Sequence, residues 1–337
     1  MFANALQEIN QAKKIIVVQA ENPDGDSLGS ALALEELLSN AGKEVVLYCA
    51  IAIPKYLHYI QGWDRVDSEW PADADIAIIV DTAAEALLHQ ALLQTGVRHF
   101  LESHAVVILD HHQNNDTLAS TSSAASLSFS NILVNNTEAV ATGELIFDLA
   151  KAAAWPVTPV VAESLFIAIQ ADSLGLTTPS TTAKSYHVAA ELVDCGANPA
   201  TIEDRRREYM KKPADILTYK GVLLQRVEYY LEGKLALIHI PWEEIEEYSD
   251  KYNPSVLVLD EMRTVEGVEV AVAIKTYPDG KLTGKIRVAT PVADAVAGYF
   301  GGGGHKYAAG FKVYENYDKI IPELLEATTK ALDNYHA

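Results

Sequence analysis

The chain alternates short, wholly apolar runs with longer stretches whose apolar positions recur at helical spacing. Lys14–Ala20 (KIIVVQA), Val45–Tyr48, Asp75–Val80 (DIAIIV) and Ala105–Leu109 (AVVIL) read as strands, and a shorter apolar run follows at Asn131–Val134. Ser27–Asn40, closed by Gly42, and Ala83–Gln94 read as helices. So do stretches near Glu138–Ala154, Pro159–Ala171, Thr182–Cys195 and Pro199–Tyr209. Strands that lack a polar face and alternate with helices predict an α/β fold, with a largely parallel sheet flanked by helices.

Beyond Lys211 the texture changes. Arg226–Leu231, Lys234–Ile240, Ser255–Glu261, Val268–Tyr277 and Lys281–Ala289 read as strands, with a hairpin turn at Pro278-Asp279-Gly280. A helix near Val292–Tyr299, four consecutive glycines, one more strand and a terminal helix around Tyr317–Tyr335 complete the chain. The expected organisation is a first domain over 1–208, a helical linker over 209–224, and a smaller α/β domain with a mixed sheet over 225–337. The length of 337 residues agrees, since a single core seldom organises so many.

Charge narrows the function. Lys and Arg total 26 against 46 Asp and Glu, a formal net charge of -20. Such a field repels a long polyphosphate backbone and argues against a protein that coats duplex nucleic acid. A small anion held locally remains compatible. The stretch from Arg263 to Lys312 is the exception, with seven basic residues (263, 275, 281, 285, 287, 306, 312) against four acidic ones (266, 269, 279, 294). That excess fits an anion site or a solvated hairpin. The two cysteines, Cys49 and Cys195, form no disulfide framework or thiolate zinc site and suit a reducing compartment. The first residues lack a signal-peptide layout, and no apolar run approaches the roughly 20 residues that span a bilayer. The expectation is a soluble, cytoplasmic protein with no membrane partner.

Four acidic clusters sit where apolar elements run out: Asp24-Gly25-Asp26, Asp81, Asp110-His111-His112 and Asp172. Taken singly, each has a bland explanation as a turn or helix cap. Three of them directly follow strands, and ligands of open parallel sheets gather outside the carboxyl ends of strands. Carboxylates crowded into one crevice need a cation, and oxygen and imidazole donors without thiolate favour manganese, magnesium or iron. The four glycines at 301–304 place no side chain between backbone amides and a ligand, so the amides of Gly302, Gly303 and Gly304 can approach phosphate oxygens. A flexible loop or crowded packing would also use them.

Together these motifs resemble the DHH phosphoesterases, in particular the nanoRNase and pAp-phosphatase type with its associated C-terminal domain. The resemblance rests on Asn22-Pro23-Asp24-Gly25-Asp26-Ser27-Leu28-Gly29-Ser30, Asp81, Asp110-His111-His112 with Asn115, and Asp172. In the second domain it rests on Lys285-Ile286-Arg287, on Phe300 through His305, and on Ala308-Ala309-Gly310. It implies two manganese(II) ions, with magnesium as the substitute. Asp81 would bridge both ions, Asp24 would join one, and Asp26, His111 and Asp172 the other. His112 would touch substrate or a bound water, oriented by Asp110. Arg287, His305, the glycine amides and Asn115 would hold the substrate, a short oligonucleotide or small phosphorylated nucleotide; a homodimer is compatible.

The pattern breaks at Ala20, where the family's first motif carries a histidine. One ion is therefore expected to be weakly held. Asp172 is followed by Ser173-Leu174-Gly175, where threonine-glycine is commoner. Two function classes follow: a manganese-dependent phosphoesterase acting on nanoRNA or adenosine 3',5'-bisphosphate, with cyclic dinucleotides as a close variant, or a nucleotide-binding sensor that has lost turnover. An oxidoreductase on a similar sheet would need G-x-G-x-x-G after the first strand, and PDGDSLGS stands there instead.

Overall fold

The five apolar runs of the first half do become strands: β1 (Lys14–Val18), β2 (Glu44–Tyr48), β3 (Ile76–Val80), β4 (Ala105–Asp110) and β5 (Ile132–Asn135). The structure, a computed structural model, describes residues 1–71, 73–112 and 128–336. It divides into two units, the first Met1–Met210 and the second beginning at Lys211.

In the first unit the strands pair in parallel in the order β2-β1-β3-β4-β5. The helices are α1 (Ala3–Gln11), α2 (Gly25–Asn40), α3 (His89–Leu93), α4 (Val97–Ser103), α5 (Thr142–Ala152), α6 (Pro159–Asp172), α7 (Ala183–Asp194) and α8 (Pro199–Tyr209). Alternate strand residues serve opposite layers. Ile15, Val17, Ile78, Val80 and Leu109 pack into one core with Leu28, Leu145 and Leu165, while Ile16, Val18, Ile79 and Ile108 pack with Phe100 and Leu101. Burial on both faces accounts for the unbroken apolar runs. The strand order reverses direction between β1 and β3, so the crevice beyond their carboxyl ends is the topological switch point.

Two helices differ from expectation. The stretch 83–94 is a 3-10 turn at Glu85–Leu88 followed by the short α3, and α4 was not anticipated. The helix expected from Glu138 begins at Thr142, because the amides of Thr142 and Gly143 are held by the distant Asp26 carboxylate.

The second unit contains α9 (Ala214–Gln225), β6 (Glu228–Tyr230), β7 (Leu235–Ile240), α10 (Trp242–Tyr248), α11 (Pro254–Arg263), β8 (Val270–Thr276), β9 (Lys281–Val288), α12 (Ala293–Tyr299), β10 (Gly303–His305), β11 (Ala308–Tyr314) and α13 (Tyr317–His336). Its sheet runs β10-β11-β9-β8-β7-β6 and is mixed as expected, with β7 and β8 parallel and the other pairs antiparallel. The chain is thus a two-part α/β protein.

The strand expected at Ser255–Glu261 is helix α11. Its SVLVLDE pattern satisfies either period, but Asn253 caps and Pro254 takes the first helical position. Joining the parallel β7 and β8 also requires a crossover, which α10 and α11 supply. The segment 209–224 is largely α9, whose Ile216, Tyr219 and Leu223 are buried with Ala236, Ile238 and Val258. It is a packed element of the second unit. Among the described residues no helix is long and apolar enough to cross a membrane.

Candidate metal centre

Strand β1 gives way at Pro23 to Asp24, the N-cap of α2, whose Oδ1 accepts the Asp26 and Ser27 amides at 2.9 and 3.0 Å. This is the capping role available to such a residue, and it leaves the other oxygen free of it. Asp26, fully buried in the first turn, accepts the Thr142 amide at 2.6 Å, the Gly143 amide at 2.9 Å and the Ser30 hydroxyl at 3.0 Å. The amino ends of α2 and α5 both favour a negative charge there. Burial and the neighbouring Asp172 nonetheless push the Asp26 carboxyl up to about 6.

Asp81 leaves β3 with φ at 63°, a left-handed conformation that costs a non-glycine residue energy and often marks a functional site. Its Oδ1 accepts the Thr142 hydroxyl at 3.1 Å. Burial, then the carboxylates of Asp26, Asp24 and Asp172, raise its pKa well above the ordinary range. Asp24 is raised as well, mainly by burial. These three carboxylates thus resist ionising together, as like charges out of water must.

The imidazoles come from the end of β4. His111 Nδ1 lies 3.2 Å from the Ala139 carbonyl, which fixes the proton on Nδ1 if that nitrogen donates. Its Nε2 lies 3.1 Å from Asp172 Oδ2 and 3.7 Å from both Asp26 Oδ2 and Asp81 Oδ1. Yet that buried nitrogen makes no aligned hydrogen bond. Proximity without alignment is the arrangement of donors converging on a common point. Burial lowers the His111 pKa, but Asp172 and Asp26 outweigh it and raise it to about 9. His112 Nδ1 is held by Asp110 Oδ1 at 2.7 Å, which raises its pKa, and its ring is half-exposed. The second Asp110 oxygen is buried without a partner.

Asp172, the last residue of α6, arrives through close helix packing. A Cβ on Gly25 would lie 2.5 Å from that of Ala171, and one on Gly143 would lie 2.5 Å from that of Ala168. Glycine at both positions lets α2 and α5 approach α6 closely enough for residues 26 and 172 to face His111.

Two donor sets result, Asp81-His111-His112 and Asp26-His111-Asp172, each with its ligand atoms within 4.8 Å of one another. One imidazole nitrogen binds one ion, so His111 can serve only one set at a time. Asp24 belongs to neither set. Arg287, Gly302, Gly303, Gly304 and His305 lie in the second unit, and Asn115 lies outside the described residues.

The descriptions "DHH family, N-terminal domain" and "DHHA1 domain" match residues 14–169 and 248–335 respectively. The chain belongs to the DHH family. The bifunctional oligoribonuclease and PAP phosphatase NrnA of Bacillus subtilis is 22% identical over 96% of this chain and 97% of its own length. The protein so named from Thermus thermophilus is 26% identical over 94% and 91%. Among solved structures, an exopolyphosphatase-related protein from Bacteroides fragilis superposes with a TM-score of 0.80 at 21% identity, covering 98% of this chain and 95% of its own. RecJ of Thermus thermophilus in complex with manganese gives 0.53 at 15% identity, covering 98% of this chain and 54% of its own. This DHH protein is accordingly a phosphoesterase.

The donor set fits a hard divalent cation: carboxylate oxygens, imidazole nitrogens, no thiolate, and a buried His111 Nε2 without a hydrogen bond. The missing donor at Ala20 is not replaced by its neighbour, because the Glu21 carboxylate accepts the Gln90 amide at α3. Gln19 is almost fully buried with both amide atoms unpartnered, a feature that strand alternation did not reveal.

Thr142 and Ala139 also escaped the sequence reading. The only signal at Thr142 was ATGE at a helix start, which resembles any capping sequence. In the glycine run, the Gly302 amide donates to the Ala297 carbonyl at 2.9 Å and closes α12, so it does not point at a phosphate. Cβ atoms on Gly302 and Gly304 would lie 2.3 and 2.6 Å from the carbonyl oxygens of Gly310 and Ala308, so packing against β11 alone requires glycine at both.

Proposed function

We propose that this phosphoesterase hydrolyses short oligonucleotides or adenosine 3',5'-bisphosphate with manganese as its metal. One observation carries the reading: Asp26, Asp81 and Asp172, distant in sequence, converge within 3.1–3.7 Å of the His111 Nε2. The B. subtilis and T. thermophilus relatives, named for both activities along nearly their whole length, support the substrate class. The excess of acidic residues supports a small substrate over a long strand.

Asp26, Asp81, His111 and Asp172 would hold the metal, with Asp24 contributing its free oxygen. Bound there, a divalent cation would acidify a water for in-line attack on phosphorus and steady the leaving oxygen. Thr142 fixes one oxygen of Asp81, and its amide fixes Asp26, so the carboxylates are set before substrate arrives. Asp110 orients the half-exposed His112 ring through Nδ1 and raises its pKa, which leaves the opposite edge of the ring to hydrogen-bond a phosphate oxygen. Arg287 would grip a phosphate through its planar fork.

The Ala20 substitution supports a second reading, a nucleotide sensor without turnover. A dinucleotide, the bisphosphate and a cyclic dinucleotide, each incubated with manganese beside an Asp81→Ala control, separate the two. Turnover by the natural chain is expected, and the control should lose more than the ~100-fold typical of an outer partner. Binding of these ligands without turnover at any manganese concentration would favour the sensor.

A further inference from the structure

One fully buried carboxylate of the first unit supplies no ligand to the metal centre. Glu144 stands in the first turn of α5, shut off from solvent. Its Oε2 accepts the Ser185 hydroxyl of α7 at 3.0 Å and the Val140 amide at 3.4 Å. Its Oε1 lies 3.1 Å from Lys184 Nζ, an ion pair without hydrogen-bond alignment. That ammonium is half-exposed and pairs with Asp148 as well, at 2.6 Å. Burying a charge is expensive, and a neutral glutamine accepts an amide at a helix start just as a glutamate does. Capping α5 therefore does not account for an acid at this position.

The Val140 amide and the Ala139 carbonyl belong to one peptide group. A trans peptide is planar and points the two in opposite directions. On the carbonyl side lies His111 Nδ1, at 3.2 Å. Ala139 and Val140 are both buried, so water competes at neither end. The order is carboxylate, peptide, imidazole, with His111 Nε2 at the far end among Asp26, Asp81 and Asp172. Metal-binding histidines are commonly oriented by a carboxylate on the ring's other nitrogen. Here one peptide group stands between the two.

We propose that Glu144 is a positioning residue for the metal centre, acting on His111 through the Ala139–Val140 peptide. Its negative charge polarises that peptide and strengthens the Ala139 carbonyl as an acceptor, because hydrogen bonds in series reinforce one another. A proton is thereby held on His111 Nδ1, and the lone pair of Nε2 is left for the ion. Ser185, buried in the first turn of α7, and Lys184 beside it fix the carboxylate in place. Helix α7 is thus coupled to the centre although it supplies no ligand. The relay rests on the metal-dependent reading of the site and adds a residue to it.

The test is calorimetric titration of the full metal-free chain with manganese, beside the absorption spectrum of the cobalt-loaded protein, whose d–d bands report ligand geometry. Glu144→Gln keeps the shape and the Val140 contact but removes the charge. Manganese affinity should fall at least about tenfold, as when an outer partner of a ligating histidine is lost, and the cobalt bands should shift. Asp148→Asn removes a neighbouring negative charge without touching the peptide and should change neither. Glu144→Asp keeps the charge but stops one methylene short of Val140. It should weaken binding as glutamine does, and it decides should Glu144→Gln not fold. Natural affinity in both Glu144 variants, or an equal loss in Asp148→Asn, would overturn the relay. A lower melting temperature with unchanged affinity and spectrum would overturn it too and assign Glu144 to helix capping. In those cases the natural chain still binds manganese and the metal reading stands. A natural chain that binds no manganese would sink that reading, and the relay with it.

Discussion

At the carboxyl ends of β3 and β4, buried acids crowd around one imidazole; along β9, the half-buried Lys285 and Arg287 stand in a row opposite alanine and glycine. Protons respond to the two regions in opposite directions. Asp24, Asp26 and Asp81 hold protons more tightly than usual, whereas Lys275 and Lys285 hold them less tightly. In both places burial penalises charge, and like-charged neighbours add to the penalty. Where ion pairs serve only stability, as at Glu203 with Arg206 and Arg207, the shift runs the other way and the carboxyl falls to about 2. The contrast separates sites built to receive an ion from sites already satisfied.

The largest test of that contrast is pH. The Asp26 carboxyl titrates at about 6 in the folded chain against an ordinary 3.8. A raised pKa means stability that is full below 3.8 and lost as pH rises through 6. His111, raised from 6.5 to about 9, adds a loss of the same sign at higher pH. Metal-free protein should therefore lose stability between about pH 4 and 9, with Asp26 contributing on the order of 3 kcal/mol up to pH 6. Manganese, which needs both groups deprotonated, should stabilise increasingly over the same range. Thermal melts with and without metal, for the natural chain and Asp26→Asn, check this. The variant should show a shallower decline, and an equal slope in both would show the cluster is already neutralised.

The sequence disclosed these regions unequally. Asp24, Asp26, Asp81 and the DHH triplet follow apolar strands, so their common placement is readable from strand ends and the rule of the switch point. Asp172 closes a helix, and its approach depends on Gly25 and Gly143 lying against Ala171 and Ala168, a tertiary fact without local signature. Thr142 was hidden for the same reason, since its partners lie 61 and 116 residues away. In the second unit VLVL fitted strand and helix equally, and the Asn253 cap together with the parallel pairing of β7 with β8 decides it. The cations of β8, β9 and β11 needed register: positions 275, 285, 287 and 312 look scattered until the three strands are aligned.

A smaller effect probes the incomplete part of the acidic region. Ala20 is buried, and Glu21 is engaged at α3. Ala20→His adds a donor beside Asp24 but also adds volume to a packed position, which costs about 1–3 kcal/mol. The two consequences have opposite signs. Metal-free protein should melt lower, while manganese affinity by calorimetry should rise about tenfold, the lower end of what supporting groups contribute. A lower melting temperature with unchanged affinity would mean that the weaker ion is not held at this position.

The smallest expected effect concerns how the acidic region is held open for a cation. Thr142 touches both carboxylates by different means: its amide donates to Asp26 and its hydroxyl to Asp81. Thr142→Val keeps the amide and the shape but removes the hydroxyl, leaving one Asp81 oxygen without its donor. The loss of one such bond is worth about 1 kcal/mol, so manganese affinity should fall by up to about tenfold. Thr142→Ser should recover it. Because the Asp26 clamp survives, the pH decline of the metal-free valine variant should match that of the natural chain through pH 6. A steeper or shallower decline would mean that the hydroxyl sets the Asp26 charge too, and that the two carboxylates respond as one unit.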